Sequence, residues 1–164
     1  MKGLVVQTEL GCIGLGLSEH GLCLTTLPVA TPGQAEEELC RRGAVEPLPA
    51  QEAGDWPEKL RSYARGEAAS LDGELDLSQG TPFQQAVWRA LLDIPRGETR
   101  TYKQIAEQIG RPRAMRAVGQ AVGANPLPIV VPCHRVVAAG GLGGFGGGLA
   151  MKKRLLQLEN PSPR

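Results

Sequence analysis

The stretch "TYKQIAEQIGRPRAMRAVGQAVGAN", residues 101–125, decides the fold of the second half of the chain. Thr101 is a preferred N-cap residue and Gly110 a preferred helix terminator, so the pattern predicts a short helix between them. A second helix is predicted over residues 111–125, with Pro112 near its start. Two short helices joined by a turn that contains a glycine are typical of a helix-turn-helix. The sequence therefore predicts a helix pair of a kind that often binds DNA, although many such pairs bind nothing.

The second helix of this pair is unusually slim. Its segment "AMRAVGQAVGAN", residues 114–125, consists almost entirely of small residues and carries one long charged side chain, Arg116. A helix that recognises the major groove usually presents several long polar side chains. This pattern instead favours entry into a narrower groove, with Arg116 as the probe. Alanine and glycine would equally allow close packing between helices, so that alternative stays open at this point.

A further helix is predicted before the pair, in "TPFQQAVWRALLDIP", residues 81–95. Thr81 is placed to be its N-cap and Pro82 to occupy its first helical position. An apolar stripe with helical spacing follows, formed by Phe83, Val87, Leu91 and Ile94.

The polar segment "SQGTP", residues 78–82, is the best candidate for a boundary between two domains, 1–79 and 80–164. The first domain is predicted to begin with three short strands of a meander, "GLVVQTEL", "CIGLGLS" and "GLCLTTL". A helix over residues 32–43, a loop over residues 44–54 and a second helix that begins at Trp56 are predicted to follow.

Composition excludes several classes of protein. Hydrophobic residues make up 41% of the 164 residues, and no apolar run is long enough to span a membrane. The N-terminus does not have the pattern of a signal peptide, so we expect a cytoplasmic protein. The four cysteines form no C-x-x-C pair and match no zinc template, which predicts no metal and no cofactor. Cys12, Cys23 and Cys40 are expected to be small core residues.

Charge is distributed unevenly along the chain. Residues 1–80 carry 13 acidic and 6 basic residues, a net charge of −7, whereas residues 81–164 carry 4 acidic and 12 basic residues, a net charge of +8. A basic half is a candidate for contact with phosphates. A solvated surface of mixed charge would account for the composition equally well.

The second stretch that carries chemistry is "NPLPIVVPCHRVVAAGG", residues 125–141, in which Cys133 and His134 are neighbours. A thiol reacts as its thiolate, and an imidazole is the usual base that generates it. Adjacent side chains of an extended segment point in opposite directions. His134 can therefore act on Cys133 only if the backbone turns, or if a water lies between the two groups. Glu159, the one acidic residue after Glu107, is the candidate to orient His134.

Two other functions would use motifs of this kind. A cysteine peptidase usually takes its histidine from elsewhere in the chain, and the only other histidine is His20, in a predicted surface turn. The segment "GLGGFG", residues 141–146, matches the pattern of a dinucleotide-binding loop. No second strand with an acidic ribose ligand follows it, so we interpret it as a loop near the thiol.

Taken together, "PCHRV", the preceding "NPLPIVV", "RAVG" and "TYKQIA" resemble the O6-alkylguanine-DNA alkyltransferase family, also called methylated-DNA–protein-cysteine methyltransferase. The resemblance is close over about residues 80–160 and looser over residues 1–79. It implies a ribonuclease-H-like α/β N-terminal domain and a mainly helical C-terminal domain of winged-helix, helix-turn-helix type.

The resemblance also implies a reaction in DNA repair. A monomer would bind double-stranded DNA, flip out an O6-alkylguanine and transfer the alkyl group to Cys133, once per molecule. The alternative is a non-catalytic module that recognises alkylated DNA and whose cysteine is structural.

Roles for individual residues follow from the same resemblance. His134, with a water and Glu159, would take the thiol proton, and Asn125 would organise the turn around the site. Tyr102 would assist the departing guanine and press on the target phosphate, while Arg116 would fill the gap left in the base stack. Further DNA contacts would come from Ala114, Ala117, Gly119 and Arg135, and the substrate pocket from Val136, Phe145 and Gly146.

The glycine loop departs from the family pattern in three ways. Phe145 stands where the family usually has tyrosine, Gly146 stands where some members have serine, and the loop from Cys133 to Phe145 is one residue shorter than usual. A hydrogen bond to the base is therefore expected to be missing.

Overall fold

The computed structural model describes residues 1–44, 46–68 and 70–161. The chain divides into two compact units, Met1–Leu77 and Ser78–Arg164. This division falls two residues before the boundary expected from the sequence, and the last three residues of the predicted C-terminal domain lie outside the described residues. Within the described part of the chain, no helix is both long enough and apolar enough to cross a membrane.

The first unit is built on a four-stranded sheet in the order β3-β2-β1-β4. The predicted meander is confirmed, because its three strands pair antiparallel in chain order: β1 Lys2–Thr8, β2 Gly11–Ser18 and β3 Gly21–Thr25. The loop predicted over residues 44–54 is partly wrong. β4, Glu46–Pro47, pairs parallel to β1, and a 3₁₀ turn follows at Ala50–Ala53. A strand of two residues is too short to produce a hydrophobic period, so the sequence could not indicate it.

Two helices pack against this sheet, namely α1 Pro32–Arg41 and α2 Trp56–Ala64. Helix α1 buries Ala35 and Leu39, and the Leu39 side chain occupies the space where a Cβ at Gly14 would lie, 2.7 Å away. Cys12 and Cys23 are buried as predicted, but Cys40 is exposed, which corrects its assignment to the core. Cys40 follows the buried Leu39 directly, and the helical period turns it away from the sheet.

The second unit is mainly helical, and its elements follow in the order α3 Pro82–Leu92, β5 Arg100–Thr101, α4 Tyr102–Gln108, α5 Met115–Gly123, β6 Val136–Val137 and α6 Leu149–Glu159. The predicted N-caps are confirmed, because Thr81 and Thr101 each form a capping box with the glutamine three residues later. Strands β5 and β6 form a short parallel pair.

Helix α5 begins at Met115, so the prediction that it includes Pro112 near its start is wrong. Residues 111–114 form a separate turn, in which the Ala114 N–H donates to the Arg111 carbonyl at 2.9 Å. This turn is complete before the helix begins, whereas the sequence pattern predicted one continuous helix over both.

Trp88 anchors the core of the second unit. It is 2% exposed, and its indole Nε1–H donates to the Ala121 carbonyl at 2.8 Å, which ties α3 to α5. Of the predicted stripe, Val87 and Leu91 are buried on α3, and Phe83 is half-buried. Ile94 is also buried, but it lies beyond the end of the helix at Leu92. This core fixes the helix pair and the segment that leads to Cys133.

Candidate active site

The segment that precedes Cys133 is buried and strained. Ile129 has a φ of +77°, in the left-handed region that a β-branched residue rarely adopts. Such a conformation costs about 1–3 kcal/mol, so its surroundings must enforce it. Asn125 does so from the start of the segment, since its Nδ2 donates to the Val131 carbonyl at 2.8 Å and its Oδ1 accepts from the Leu127 N–H at 2.9 Å.

The backbone turns at the cysteine. Cys133–Arg135 form a single 3₁₀ turn, and the Arg135 N–H donates to the Pro132 carbonyl at 3.0 Å. The first of the two geometries that would let His134 act on Cys133 is therefore present. Cys133 is 7% exposed and His134 is fully buried.

Glu159 orients His134. The Nε2 of His134 lies 2.6 Å from Oε2 of Glu159, at the end of α6. A carboxylate accepts hydrogen bonds, so the proton of the neutral imidazole belongs on Nε2. Nδ1 then carries the lone pair, and it is buried without a hydrogen-bond partner among the described residues. His134 is thus arranged to accept a proton at Nδ1.

The charge of Glu159 is compensated by Arg135. The guanidinium forms a two-pronged ion pair, with Nε 2.9 Å from Oε1 and Nη2 2.9 Å from Oε2. Its Nη1 also donates to the Ile94 carbonyl at 2.6 Å. The DNA contact expected of Arg135 stays a prediction, and the structure instead gives this side chain partners inside the unit.

Burial keeps both reactive groups neutral at rest. It raises the pKa of the Cys133 thiol, against the opposing effects of the Asn125 side chain, the backbone N–H groups of Cys133 and His134, and the Lys152 ammonium. Burial lowers the pKa of His134, although Glu159 acts in the opposite direction. The thiol and the imidazole are therefore both neutral, and a thiolate forms only by transfer of the proton.

Lys152 is a site residue that sequence reasoning missed. It is fully buried on α6, and its ammonium donates to three backbone carbonyls, those of Val136, Leu142 and Gly144. The sequence did contain a signal for it. Lys152, Leu155 and Glu159 recur at helical spacing, and they form the buried face of α6. A lysine on the apolar face of a helix is rare enough to indicate a function.

Tyr102 meets the glycine loop, which we define as residues 138–148. Gly143 in this loop has a φ of +74°, and a Cβ there would lie 3.0 Å from the Tyr102 hydroxyl oxygen. A residue with a side chain would therefore be both strained and crowded at this position. Burial raises the pKa of Tyr102, and its hydroxyl hydrogen-bonds the Gly144 backbone. Of the predicted pocket residues, Val136 is buried, Phe145 is half-buried and Gly146 is exposed.

A mainly apolar cavity of about 420 Å³ opens between the N-terminal ends of α4 and α5. It is lined by Thr101, Tyr102, Lys103, Met115, Arg116, Gly119, Ala138 and Ala139. Three predicted DNA-contacting residues, Tyr102, Arg116 and Gly119, thus meet in one place. Ala117 on α5 and Ala114, directly before the helix, are half-buried. Helix α5 is less slim than its sequence indicated, because Met115 is 52% exposed.

Exposed basic side chains surround these helices. Lys103, Arg111, Arg113 and Arg116 are all exposed. Two other arginines of this half have partners inside the unit, since Arg96 donates to the Leu158 carbonyl and Arg100 forms an ion pair with Glu98. In the described residues, no group of three or more histidine, cysteine, aspartate or glutamate side chains could hold a metal ion.

The second unit is thus of the class in which a helix pair lies beside a buried cysteine with its own proton acceptor. Comparisons with known proteins show which family the chain belongs to. The model of the 6-O-methylguanine DNA methyltransferase DNA-binding domain matches residues 82–161. A methylated-DNA–protein-cysteine methyltransferase from Mycobacterium bovis is 49% identical over 146 residues, which cover 88% of this chain and 85% of the relative.

Solved structures agree with this assignment. The crystal structure of Mycobacterium tuberculosis OGT in complex with DNA has a TM-score of 0.83 and 41% identity, covering 98% of this chain and 94% of that one. The O6-methylguanine-DNA methyltransferase of Pyrococcus kodakaraensis has a TM-score of 0.70 and 30% identity, with 91% of each chain covered. The chain belongs to the methylated-DNA–protein-cysteine methyltransferase family, and the resemblance seen in its sequence is confirmed.

Proposed function

We propose that this protein repairs DNA as a methylated-DNA–protein-cysteine methyltransferase, moving an alkyl group from O6 of guanine to Cys133. The observation that carries the proposal is the buried thiol of Cys133 next to His134, whose Nε2 is held by Glu159 at 2.6 Å. Membership of the family supplies the substrate class, and the site supplies a nucleophile and a proton acceptor.

Every bond and proton in the proposed reaction can be assigned to the protein, the DNA or solvent water. The thiol proton of Cys133 passes through one water to Nδ1 of His134, and the thiolate sulfur attacks the alkyl carbon. The S–C bond forms while the C–O6 bond breaks, and its electron pair leaves with the guanine. The guanine then takes up a proton, for which we propose the Tyr102 hydroxyl as donor, and solvent reprotonates Tyr102 as His134 releases the proton it accepted. The product thioether has no hydrolysable bond, so each molecule reacts once.

Two neutral partners suit a protein that must wait for its substrate. A thiolate at rest would be oxidised or alkylated by small reagents. Because burial raises the pKa of Cys133 and lowers that of His134, the nucleophile is generated mainly when a bound substrate consumes it. Asn125 and the backbone N–H groups of the turn would stabilise the sulfur as its charge develops.

We further propose that α5 enters the minor groove of double-stranded DNA and that the target guanine is flipped out of the stack. Small residues at Ala114, Ala117 and Gly119 would allow close approach to the groove. Arg116, exposed at the rim of the cavity, would occupy the place of the extruded base. Tyr102, in the same cavity, would press on the target phosphate.

The glycine loop would form one wall of the base pocket, with Val136 beneath and Phe145 and Gly146 at its edge. Phenylalanine has no hydroxyl, so the hydrogen bond that a tyrosine would give the base is absent at Phe145.

At the level of fold, we propose that the first unit is ribonuclease-H-like and that the second is a winged helix-turn-helix domain. We also propose that the protein acts as a monomer in the cytoplasm.

Methyl transfer from damaged DNA to Cys133 is the test of this proposal. The protein is incubated with duplex DNA that carries one O6-methylguanine, and its peptides are then weighed. We expect the peptide that contains Cys133 to gain the mass of one CH₂, and Cys133→Ala to gain nothing while it still binds DNA. Cys23→Ala, which removes another buried thiol, is the matched control and should react like the parent. An unchanged parent mass with DNA bound would support the non-catalytic module instead.

A further inference from the structure

A large apolar side chain of the second unit is exposed to solvent at the mouth of the cavity. Met115, the first residue of α5, is 52% exposed. Among the described residues it is the most exposed of the large hydrophobic side chains, ahead of Leu149, Leu92 and Met1 at 48%, 42% and 36%. Single exposed apolar side chains are ordinary on protein surfaces, so the surroundings of Met115 decide what it could bind.

The position of Met115 on α5 directs its side chain away from the core. Met115 lies one turn before Val118, on the same face of the helix as Val118 and Val122, which are both buried. Because Cα–Cβ bonds tilt toward the N-terminus of a helix, the Met115 side chain leans beyond the start of α5. It lines the cavity together with Tyr102 and Arg116. An apolar stripe therefore runs from the core of the unit to the place where DNA is proposed to bind.

The charges around Met115 determine the kind of partner that could cover it. Lys103 and Arg116 line the same cavity and are exposed, and no acidic side chain lines it among the described residues. Arg111 and Arg113, just before α5, are exposed as well. A fitting partner must therefore offer negative charge at the rim and apolar surface in the middle. The minor groove of duplex DNA offers both, because two rows of phosphates flank sugars and stacked bases.

Methionine has the properties of a wedge between bases. Its unbranched, flexible thioether adapts to irregular apolar surfaces, and methionine is one of the residues that proteins insert between base steps from the minor groove. Arg116 is proposed to fill the place of the extruded guanine, and the base step beside that place has then lost its stacking on one side. Met115 is next to Arg116 in the chain and shares its cavity, so the two side chains can act on neighbouring steps.

We propose that Met115 is a second DNA-contacting residue of α5, an apolar wedge that enters the minor groove beside Arg116 and holds open the base step next to the extruded guanine. This inference rests on the proposed function. Arg116 occupies the vacated place, and Met115 prevents the neighbouring bases from closing over it. Because the contact is apolar, its contribution to the affinity for DNA does not depend on salt.

The experiment measures binding and base unstacking separately from transfer. Met115→Ala removes the wedge, Met115→Leu keeps an apolar side chain of similar size, and Met115→Gln keeps the length but makes the side chain polar. Leu92→Ala, which shortens an exposed apolar side chain at the end of α3, is the matched control. In a Cys133→Ala background, affinity for duplex DNA with one O6-methylguanine is measured over a range of salt, and the fluorescence of 2-aminopurine beside the lesion reports unstacking. The transfer rate at saturating DNA is measured with Cys133 present.

We expect Met115→Ala to bind about tenfold more weakly, as for the loss of an apolar side chain of this size from a contact, with the same salt slope as the parent. The rise in 2-aminopurine fluorescence on binding and the saturated transfer rate should both fall. Met115→Leu should restore them and Met115→Gln should not, while Leu92→Ala should match the parent.

Parental affinity and fluorescence in Met115→Ala would overturn the inference. A shallower salt slope would overturn it as well, since the side chain would then only position the cations around it. Met115 is more than half exposed, so its variants should unfold at the parent's urea concentration. The two proposals fail separately: a parent that unstacks bases in a Met115-dependent manner but accepts no methyl group refutes the function alone, and transfer that is independent of Met115 refutes only this inference.

Discussion

The thiol of Cys133 and the imidazole of His134 are both uncharged until a proton passes from one to the other during the reaction. Burial raises the pKa of the Cys133 thiol and lowers that of His134, so the imidazole is unprotonated at neutral pH and free to accept a proton. Sequence reasoning predicted the pair and its orienting residue, Glu159, because all three residue types have recognisable chemistry. It missed Lys152 and the partners of Arg135, because these depend on which backbone carbonyls and carboxylates the fold brings within reach.

Replacement of His134 should lower the rate at which Cys133 is alkylated. His134→Gln keeps a donor for Glu159 but has no proton acceptor of suitable basicity, so alkylation of Cys133 at neutral pH should fall by about 100-fold or more. The measurement is the pH dependence of alkylation by iodoacetamide, with His20→Gln as control. If His134→Gln titrates like the parent, His134 serves only in packing.

The same histidine should make stability depend on pH. Its pKa is lowered in the folded state from the ordinary value of 6.5, so the unfolded chain binds more protons once the pH falls below that value. The free energy of unfolding should therefore decrease on acidification through this range. Urea unfolding can follow the second unit alone in a Trp56→Phe background, which leaves Trp88 as the one tryptophan. His134→Gln should lack this decrease; the same slope in both proteins would contradict a buried neutral imidazole.

Among the elements, those announced by capping residues in the sequence were predictable, and those set by backbone hydrogen bonds, strand pairing or a single buried side chain were not. Helices α3 and α4 begin at threonines that cap them with a glutamine three residues later, a pattern visible in the sequence. The turn at residues 111–114, the two-residue strand β4 and the left-handed Ile129 leave no such pattern. Their conformations are imposed by a local backbone bond, by the edge of β1 and by Asn125, respectively.

Helix α5 allows a specific prediction about base flipping. Arg116→Ala should slow transfer more than it weakens binding, because the proposed role of this side chain is to fill the base stack. Arg116→Leu, which can also wedge between bases, should restore part of the rate. Arg111→Ala removes an exposed cation of the preceding turn and should weaken binding without changing the saturated rate. If Arg116→Ala loses only affinity, base flipping by this helix must be abandoned.

The glycine loop should not tolerate a side chain where it meets Tyr102. Gly143→Ala must adopt a left-handed φ, at a cost of about 1–2 kcal/mol, and its Cβ would crowd the Tyr102 hydroxyl. We expect a slower transfer rate and faster hydrogen exchange in the loop. Gly140→Ala has open space around its Cβ and should react like the parent. Equal rates for the two variants would show that the loop does not shape the pocket.

At the scale of the whole molecule, the two units carry opposite net charge, −7 in the first and +8 in the second. A basic unit that binds phosphates should lose affinity steeply as salt rises, whatever the DNA sequence. The slope of log affinity against log salt, measured on undamaged duplex DNA, should become shallower by about one for each phosphate contact removed, for example in Lys103→Ala. A slope near zero would mean that the basic surface does not hold DNA.

The proposed function requires that Cys133 accept one alkyl group and keep it. The most direct measurement is the number of methyl groups transferred per protein molecule, followed over time with O6-methylguanine duplex DNA in excess. We expect a plateau at one methyl group per molecule, all of it on Cys133, and no transfer by Cys133→Ala. Continued turnover beyond one, a methyl group on another residue, or transfer by Cys133→Ala would contradict it.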